Sequence, residues 1–245
     1  MTGKWTVLGA AAGAFFALPA LAGPPYVTDD PQPTDLGNYE IYAFSDGTAT
    51  RDGIGGAAGV DFNYGAAPDL QLTAVLPLAW NSPNNGPSVT GLGNVELAAK
   101  YKILHQDTFG LDVAVFPRVF LPAGSEKIGA RHVSLLLPVW VGRSWGQWST
   151  FGGGGCTLNH GGDSQNFCEV SWALTRQITD DLQLGAEIFH QTADTKGGFA
   201  STGAGLGAIY DLNENFHLLG SVNVGLQHAS DTNNHSWYVA LLSTF

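Results

Sequence analysis

Short stretches in which apolar and polar residues alternate recur along this chain, and they constrain its fold more than any other feature. In residues 70–80 every second side chain is apolar, and Gln71 and Thr73 lie among those in between. A period of two residues is typical of β-strands that present one apolar and one polar face. We predict twelve such strands, at residues 38–46, 54–64, 69–81, 92–105, 109–121, 132–143, 147–157, 167–178, 181–193, 201–211, 215–227 and 235–245.

The connections between these strands alternate in length. Those around residues 65–68, 106–108, 144–146, 179–180 and 212–215 are short, whereas those around 47–53, 82–91, 122–131, 158–166, 194–200 and 228–234 are longer and rich in Gly, Asn, Asp and Ser. Outer-membrane barrels have tight periplasmic turns, longer outer loops and an even number of strands. A soluble β-sandwich shares the alternation of residues but has no need of the alternation of loops.

The sequence therefore predicts an all-β fold, an antiparallel transmembrane β-barrel of about 12 strands over residues 38–245. An even number of strands places both termini on the periplasmic side. The predicted location is the outer membrane of a Gram-negative bacterium.

The N-terminal residues predict export. Lys4 precedes an apolar run at residues 7–18, and Ala20, Leu21 and Ala22 form a cleavage site, so residues 1–22 are a predicted signal peptide. Beyond it, no apolar run approaches the roughly 18 residues of a spanning helix. Residues 23–37 are rich in proline and too polar for a strand. Two placements remain open for them, a plug in the barrel lumen or a segment in the periplasm.

The last ten residues form a predicted strand that ends in Phe245. Trp237, Val239 and Leu241 share its face, so that aromatic residues lie at both ends of one membrane-facing surface. We expect this strand to close the barrel against the segment around Tyr39. Outer-membrane lipids and the barrel-assembly machinery, for which Phe245 is the C-terminal signal, are the expected partners.

The acidic composition excludes nucleic acids as partners. The chain has 10 Lys and Arg against 21 Asp and Glu, a formal net charge of −11. Nucleic-acid binding needs a basic face, so no nucleic-acid partner is predicted.

The two cysteines are predicted to pair. Cys156 and Cys168 both lie in the exported part, and an oxidising compartment favours a disulfide between them over two free thiols.

Charged residues lie on the strand faces opposite the apolar ones and are predicted to project into the lumen. Glu96 and Lys100 share a face of one strand, and Asp112 and Arg118 share a face of the next. Such residues form either a network of salt bridges that fills a narrow barrel or a constriction that selects a solute. The full set is Asp61, Glu96, Lys100, Lys102, Asp112, Arg118, Glu169 and Glu187.

A second set on the lumen side is apolar. Phe116 and Phe120 lie on one strand, and Leu136, Pro138 and Trp140 lie on the next. This set is either a binding site for an aromatic or hydrophobic solute or a packing surface for an in-folded loop.

Other motifs are weak. The glycine run at 152–155 lacks the Lys-Ser/Thr and the helix of a phosphate loop, and no cofactor is predicted. His160, His190, His228 and His235 lie in or near predicted loops, but their spacing matches no ligand motif, and no metal site is predicted. A lipid hydrolase would need a Ser and a His side by side on the lipid-facing surface, as His190 and Ser201 would have to be. No nucleophile motif or orienting acid accompanies them, so the prediction is that the chain is no enzyme.

Three stretches resemble a known family. Residues 23–31 (GPPYVTDDP), 184–195 (LGAEIFHQTADT) and 209–219 (IYDLNENFHLL) are similar to outer-membrane transporters associated with an aromatic (phenol) degradation pathway, the MetA-pathway phenol degradation-like β-barrel proteins. The resemblance implies a barrel in the outer membrane that transports a solute. We therefore expect a channel or transporter for small solutes, including aromatic or hydrophobic ones. The alternative is a non-transporting barrel with a filled lumen and a structural or recognition role; the oligomeric state stays open.

Overall fold

A closed antiparallel β-barrel is formed by residues 25–124, 128, 132–159 and 163–245, which the computed structural model describes. Its segments are β1 (Tyr39–Thr50), β2 (Gly53–Ala67), β3 (Leu70–Pro83), β4 (Val89–Leu92), β5 (Val95–Leu104), β6 (Asp112–Val115), β7 (Arg118–Leu121), β8 (Ser134–Trp145), β9 (Trp148–Asn159), β10 (Phe167–Gln177), β11 (Leu182–Gln191), β12 (Ser201–Asp211), β13 (Phe216–Gln227) and β14 (His235–Thr244). Two helices of four residues each, α1 (Gln106–Phe109) and α2 (Ala229–Thr232), lie in connections. Neither helix of this part of the chain is long and apolar enough to cross a membrane.

The fourteen segments make twelve barrel strands because two strands are each interrupted once. Segments β4 and β5 both pair with β3 and are separated by Gly93 and Asn94. Segments β6 and β7 both pair with β5 and β8 and are separated by Phe116 and Pro117. Pro117 has no N–H to donate to a ladder, but the Phe116 N–H still donates to the Pro138 carbonyl over an N···O distance of 3.1 Å. The wall is therefore continuous, and the predicted twelve-stranded barrel is confirmed.

Strand β1 pairs with β14, which closes the barrel. The register runs from Glu40 opposite Thr244 to Ala49 opposite His235. Beyond it, Tyr39 and Phe245 exchange two backbone hydrogen bonds of 2.9 and 3.0 Å. The closure predicted for the C-terminal strand is thus confirmed, and β1 begins at the same rim at which β14 ends.

The two rims carry different connections. The short-turn rim has those at residues 68–69, 105–111, 146–147, 178–181 and 212–215. The long-loop rim has those at 51–52, 84–88, 122–133, 160–166, 192–200 and 228–234. The predicted alternation of lengths holds only in part. The connection at 105–111 is longer than that at 84–88 and as long as that at 228–234, and the long loop predicted at the start of the barrel is absent.

The prediction of a loop at residues 47–53 is wrong. Strands β1 and β2 extend through most of this stretch and meet in a turn formed by Arg51 and Asp52. Gly47 lies opposite Gly56 in a regular ladder, and the ring of Trp237 covers Gly47 where a Cβ would otherwise stand. The stretch consists mostly of small and polar residues and shows no apolar residue at every second position, so its sequence pattern is typical of a loop although it forms strands.

The apolar strand faces point outward, as the alternation predicts. Leu76 is 57% exposed and Val222 is 65% exposed, whereas Gln71 and Thr73 on the opposite face are buried. An apolar outer surface around a polar interior is what a lipid environment requires of a barrel. Further exposed residues of this surface are Val60, Leu72, Leu78, Leu97, Val139, Leu174, Ile188, Leu206, Val239 and Leu241.

The residues before β1 lie against the inner side of the wall. Pro25, Tyr26 and Asp30 are buried, and the Ser221 hydroxyl of β13 donates to the Pro25 carbonyl at 2.6 Å. We call residues 25–38 the lumen segment. The predicted signal peptide, residues 1–22, lies outside the described residues.

Candidate functional site

The lumen segment is held on one side of the barrel by Glu187 of β11. Its carboxylate accepts hydrogen bonds from the backbone N–H of Val27 at 3.0 Å and from the backbone N–H and hydroxyl of Thr28 at 3.0 and 2.9 Å. Charge-assisted bonds of this kind are stronger than neutral ones. Glu187 therefore satisfies the buried donors of Thr28 and also holds the backbone of the more exposed Val27.

On the other side of the lumen, the segment contacts Lys100 of β5. The Lys100 ammonium lies 2.9 Å from an Asp29 carboxylate oxygen and 3.8 Å from one of Asp30. Burial raises the pKa of the Asp30 carboxyl to about 7, although the Lys100 charge acts in the opposite direction. The predicted lumen position of Lys100 agrees with these contacts, but its partners are acids that precede the barrel.

Polar residues near the short-turn rim complete the attachment. The Gln32 amide donates to Asp112 at 2.8 Å and accepts a hydrogen bond from Lys102, and Lys102 lies 3.7 Å from Asp112. The Thr34 backbone N–H donates to the Gln71 side chain at 2.8 Å. The segment thus contacts the wall from β13 and β11 round to β5, β6 and β3.

Two residues of the predicted charged set pair with each other and form no hydrogen bond with the lumen segment among the described contacts. Arg118 donates to both oxygens of Glu96, at 2.6 and 3.0 Å. Its guanidinium also lies 5.1 Å from the ring centre of Phe116 and 5.9 Å from that of Phe120. Asp61, which is on the same inner surface, accepts a hydrogen bond from Asn63 at 3.0 Å.

The predicted apolar set is packed against the wall and the cations. Phe116, Leu136 and Trp140 are each less than 5% exposed, and Lys100 lies 4.9 Å above the Phe116 ring. A Cβ on Gly153 would come within 3.0 Å of the Trp140 ring. Gly153 therefore makes room for Trp140 inside the barrel, and Phe116 is covered by the cations of Lys100 and Arg118.

A second apolar cluster inside the barrel was not predicted. Tyr42, Ile209, Leu219, Ala240 and Leu242 are buried together near the short-turn rim. The sequence conceals this cluster because both faces of these strands are apolar there, as the adjacent leucines at 218–219 and 241–242 show. The cluster and the lumen segment both lie in the interior at that end.

Toward the long-loop rim the interior widens into a cavity of about 480 Å³. Val27 of the lumen segment lies in its lining, together with Glu169, Phe189 and Asp231. Asp231 is paired with Arg51 at 2.9 Å. Glu169, predicted to face the lumen, thus lies on this cavity rather than on the lumen segment.

The outer surface carries the disulfide and His190, one of the two predicted hydrolase residues. Cys156 and Cys168 are bonded, as predicted, and face each other across β9 and β10. His190 and Ser201 lie on opposite faces of the wall, because His190 is opposite Thr202 in the ladder and Ser201 is opposite the next residue of β11. The required Ser–His contact is therefore not formed.

The histidines bring no ligand set together. His190 instead shares a hydrogen bond of 2.8 Å with the Thr202 hydroxyl. No group of three potential ligands could hold a metal ion among residues 25–124, 128, 132–159 and 163–245. His160 lies outside the described residues.

Comparisons with known proteins agree with this architecture. A family model described as "Putative MetA-pathway of phenol degradation" matches residues 29–240. A comparison with curated protein sequences gave no match.

Solved structures share the fold. An outer membrane channel from Pseudomonas putida F1 matches with a TM-score of 0.72 at 13% identity, covering 88% of this chain and 98% of that chain. The KdgM porin matches with a TM-score of 0.58 at 11% identity, over 84% of this chain and 99% of its own. The NanC porin matches with a TM-score of 0.58 at 8% identity, over 84% and 98%. Because the sequence identities are so low, these structural matches show a common barrel fold and nothing further.

Proposed function

This chain belongs to the MetA-pathway phenol-degradation family, and from that premise we propose that it is an outer-membrane channel through which small solutes pass passively. The observation that supports this most is the closed barrel itself, apolar outside and lined with charged and polar side chains within. Water and solutes need such a lining to cross a lipid layer. The family name points to aromatic solutes as the class to test first.

The lumen segment sets the width of the proposed path. It spans the interior between Glu187 and Lys100, which belong to opposite parts of the wall. A solute that enters from the cavity at the long-loop rim must therefore pass beside residues 25–38. Phe116 and Arg118 lie on the inner side of the wall, and the Arg118 guanidinium is placed over the Phe116 ring. We propose that these groups and the segment form the constriction.

Conductance in planar bilayers and solute flux into liposomes test the proposal. We expect a small, steady conductance from the intact protein and a larger one from a variant that lacks residues 25–35. Glu187→Gln should shift conductance in the same direction, because it weakens the attachment of Val27 and Thr28. Glu214→Gln, in a turn of the short-turn rim, removes the same charge and should leave conductance unchanged.

A non-transporting barrel is the alternative, and the filled interior near the short-turn rim favours it. The buried cluster around Leu219 and Leu242 and the attached lumen segment both take up space there. Absence of conductance and of flux, both in the intact protein and in the shortened variant, would decide for this alternative. No catalytic role is proposed; purified protein that cleaves phospholipid, and loses that activity in His190→Ala, would contradict this.

A further inference from the structure

Two arginines and two tryptophans share the lipid-facing surface at the short-turn rim. Trp145 of β8 and Trp148 of β9 form the last pair of their hairpin. Arg143 lies on β8 opposite Thr150, and Arg176 lies on β10 opposite Trp148. All four side chains are exposed on the outer face. We call Arg143, Trp145, Trp148 and Arg176 the Arg143–Arg176 patch.

The register brings the two guanidinium groups within reach of one another. Arg143 and Arg176 flank β9 from its two sides and are offset by two residues along the strands. From the spacing and rise of strands, their Cα atoms are about 12 Å apart. The Arg176 guanidinium carbon lies 5.1 Å from the ring centre of Trp148, which directs this side chain over β9. A group between the arginines would rest on Trp148 and Thr150.

Neither arginine of the patch has a carboxylate partner in the part of the chain that the structure describes. By contrast, Arg118 is paired with Glu96 and Arg51 with Asp231. Two unpaired cations side by side are unusual in a chain of net charge −11 that has only 10 Lys and Arg. Among the described residues, the positive charge of the patch is therefore not neutralised by a salt bridge.

We propose that the Arg143–Arg176 patch binds the phosphate of an anionic phospholipid. Arg guanidinium groups hold phosphate through paired, charge-assisted hydrogen bonds. Indole rings of barrel proteins lie at the level of the lipid headgroups. The exposed Leu174 and Trp172, further along β10, are placed to contact the acyl chains. With the short turns in the periplasm, as predicted, the lipid belongs to the periplasmic leaflet.

Native mass spectrometry of the purified barrel tests this site. The protein is incubated with equal amounts of dioleoylphosphatidylglycerol and dioleoylphosphatidylcholine, which share acyl chains and differ in net charge. We expect retention of the anionic lipid in preference to the zwitterionic one. Each arginine near a membrane surface changes affinity about fivefold, so R143Q/R176Q should lower phosphatidylglycerol affinity roughly 25-fold.

The matched control is R51Q/K196Q, which removes two positive charges at the long-loop rim. It should retain phosphatidylglycerol as the unaltered protein does, and R143K/R176K should lie between the two glutamine variants because lysine lacks the guanidinium fork. The proposal is overturned by equal retention of the two lipids by the unaltered protein, or by an equal loss in both glutamine variants. The binding readout does not depend on conductance, so it stands or falls separately from the channel.

Discussion

At the scale of the residue, the most informative contact is the pair between Arg118 and Glu96. Both residues face the interior, and the side chain of Glu96 is 8% exposed while that of Arg118 is 26% exposed. The two bonds are parallel, one to each carboxylate oxygen. A pair held in this way resists separation, but part of its charge is screened by water in the lumen.

Replacing one partner should therefore cost more than replacing both. Glu96→Gln leaves Arg118 without its counter-charge and is expected to lower the free energy of unfolding by about 2 kcal/mol. E96Q/R118Q should be closer to the unaltered protein than the sum of the single variants. Urea unfolding in lipid vesicles, followed by tryptophan fluorescence, measures both effects in a double-mutant cycle. Strictly additive losses would mean that the two side chains do not interact.

Sequence patterns predict which residues face the lumen better than they predict partners. Glu96 and Arg118 are neighbours on adjacent strands, so their contact follows from the period of two. Lys100 has the same parity, yet its partners are Asp29 and Asp30, which belong to a segment without any period. Its position was predictable, and its partners were not.

At the scale of the element, two neighbouring strands of the wall are covalently cross-linked. Cys156 and Cys168 cross-link β9 to β10 at a separation of 12 residues. Closing a loop of this size restricts the unfolded chain. The same strand β9 contains Gly153, against which Trp140 packs.

Loss of the disulfide should destabilise the barrel. C156S/C168S is expected to lower the free energy of unfolding by about 2–3 kcal/mol, because the unfolded chain regains the freedom that the cross-link removes. Urea unfolding with and without a reductant provides the measurement. Reductant should lower the free energy of unfolding of the unaltered protein and leave that of the serine variant unchanged. An unaltered protein whose free energy of unfolding does not change with reductant would contradict the expectation.

A methyl group at Gly153 of β9 should also destabilise the barrel. Gly153 has a φ of +153°, and a Cβ there would lie 2.0 Å from the Val139 carbonyl oxygen. Gly153→Ala is expected to cost about 2–4 kcal/mol through backbone strain and overpacking. Gly220→Ala is the control, since the nearest atom to its Cβ would be 3.6 Å away. Equal stability of the two variants, in the same unfolding experiment, would refute the argument.

At the scale of the whole molecule, the interior is acidic. Among the described residues, carboxylates that face or lie in the lumen outnumber the cations there. The carboxylates are Asp29, Asp30, Glu40, Asp46, Asp61, Glu96, Asp112, Glu169 and Glu187, and the cations are Lys100, Lys102 and Arg118. The interior keeps a surplus of negative charge even when the Asp30 carboxyl, whose pKa burial raises, is protonated. Such a surplus attracts small cations and repels anions.

An open channel with this lining should prefer cations. We expect the reversal potential in a potassium chloride gradient to give a cation-over-anion permeability ratio above one. E169Q/D61N should bring that ratio closer to one, whereas D180N/D181N, in a turn of the short-turn rim, should leave it unchanged. A ratio below one in the unaltered protein would show that the lumen charges do not control the ions that pass.

The barrel as a whole was the most predictable level of this structure. Twelve strands and alternating connections follow from local patterns, because each strand must face lipid on one side and the interior on the other. The occupied lumen was not predictable to the same degree. Placing Thr28 against Glu187 requires contacts between residues 159 positions apart, and no local pattern records them.

The pairing of β1 with β14 has a consequence for how the protein is assembled. The lumen segment directly precedes β1, so its C-terminal end is tied to the same seam that closes the barrel. The segment must be enclosed as this seam forms, or else enter through the rim at which Tyr39 lies. The two routes differ in order: on the first the lumen is occupied before β1 and β14 pair, and on the second it is occupied afterwards.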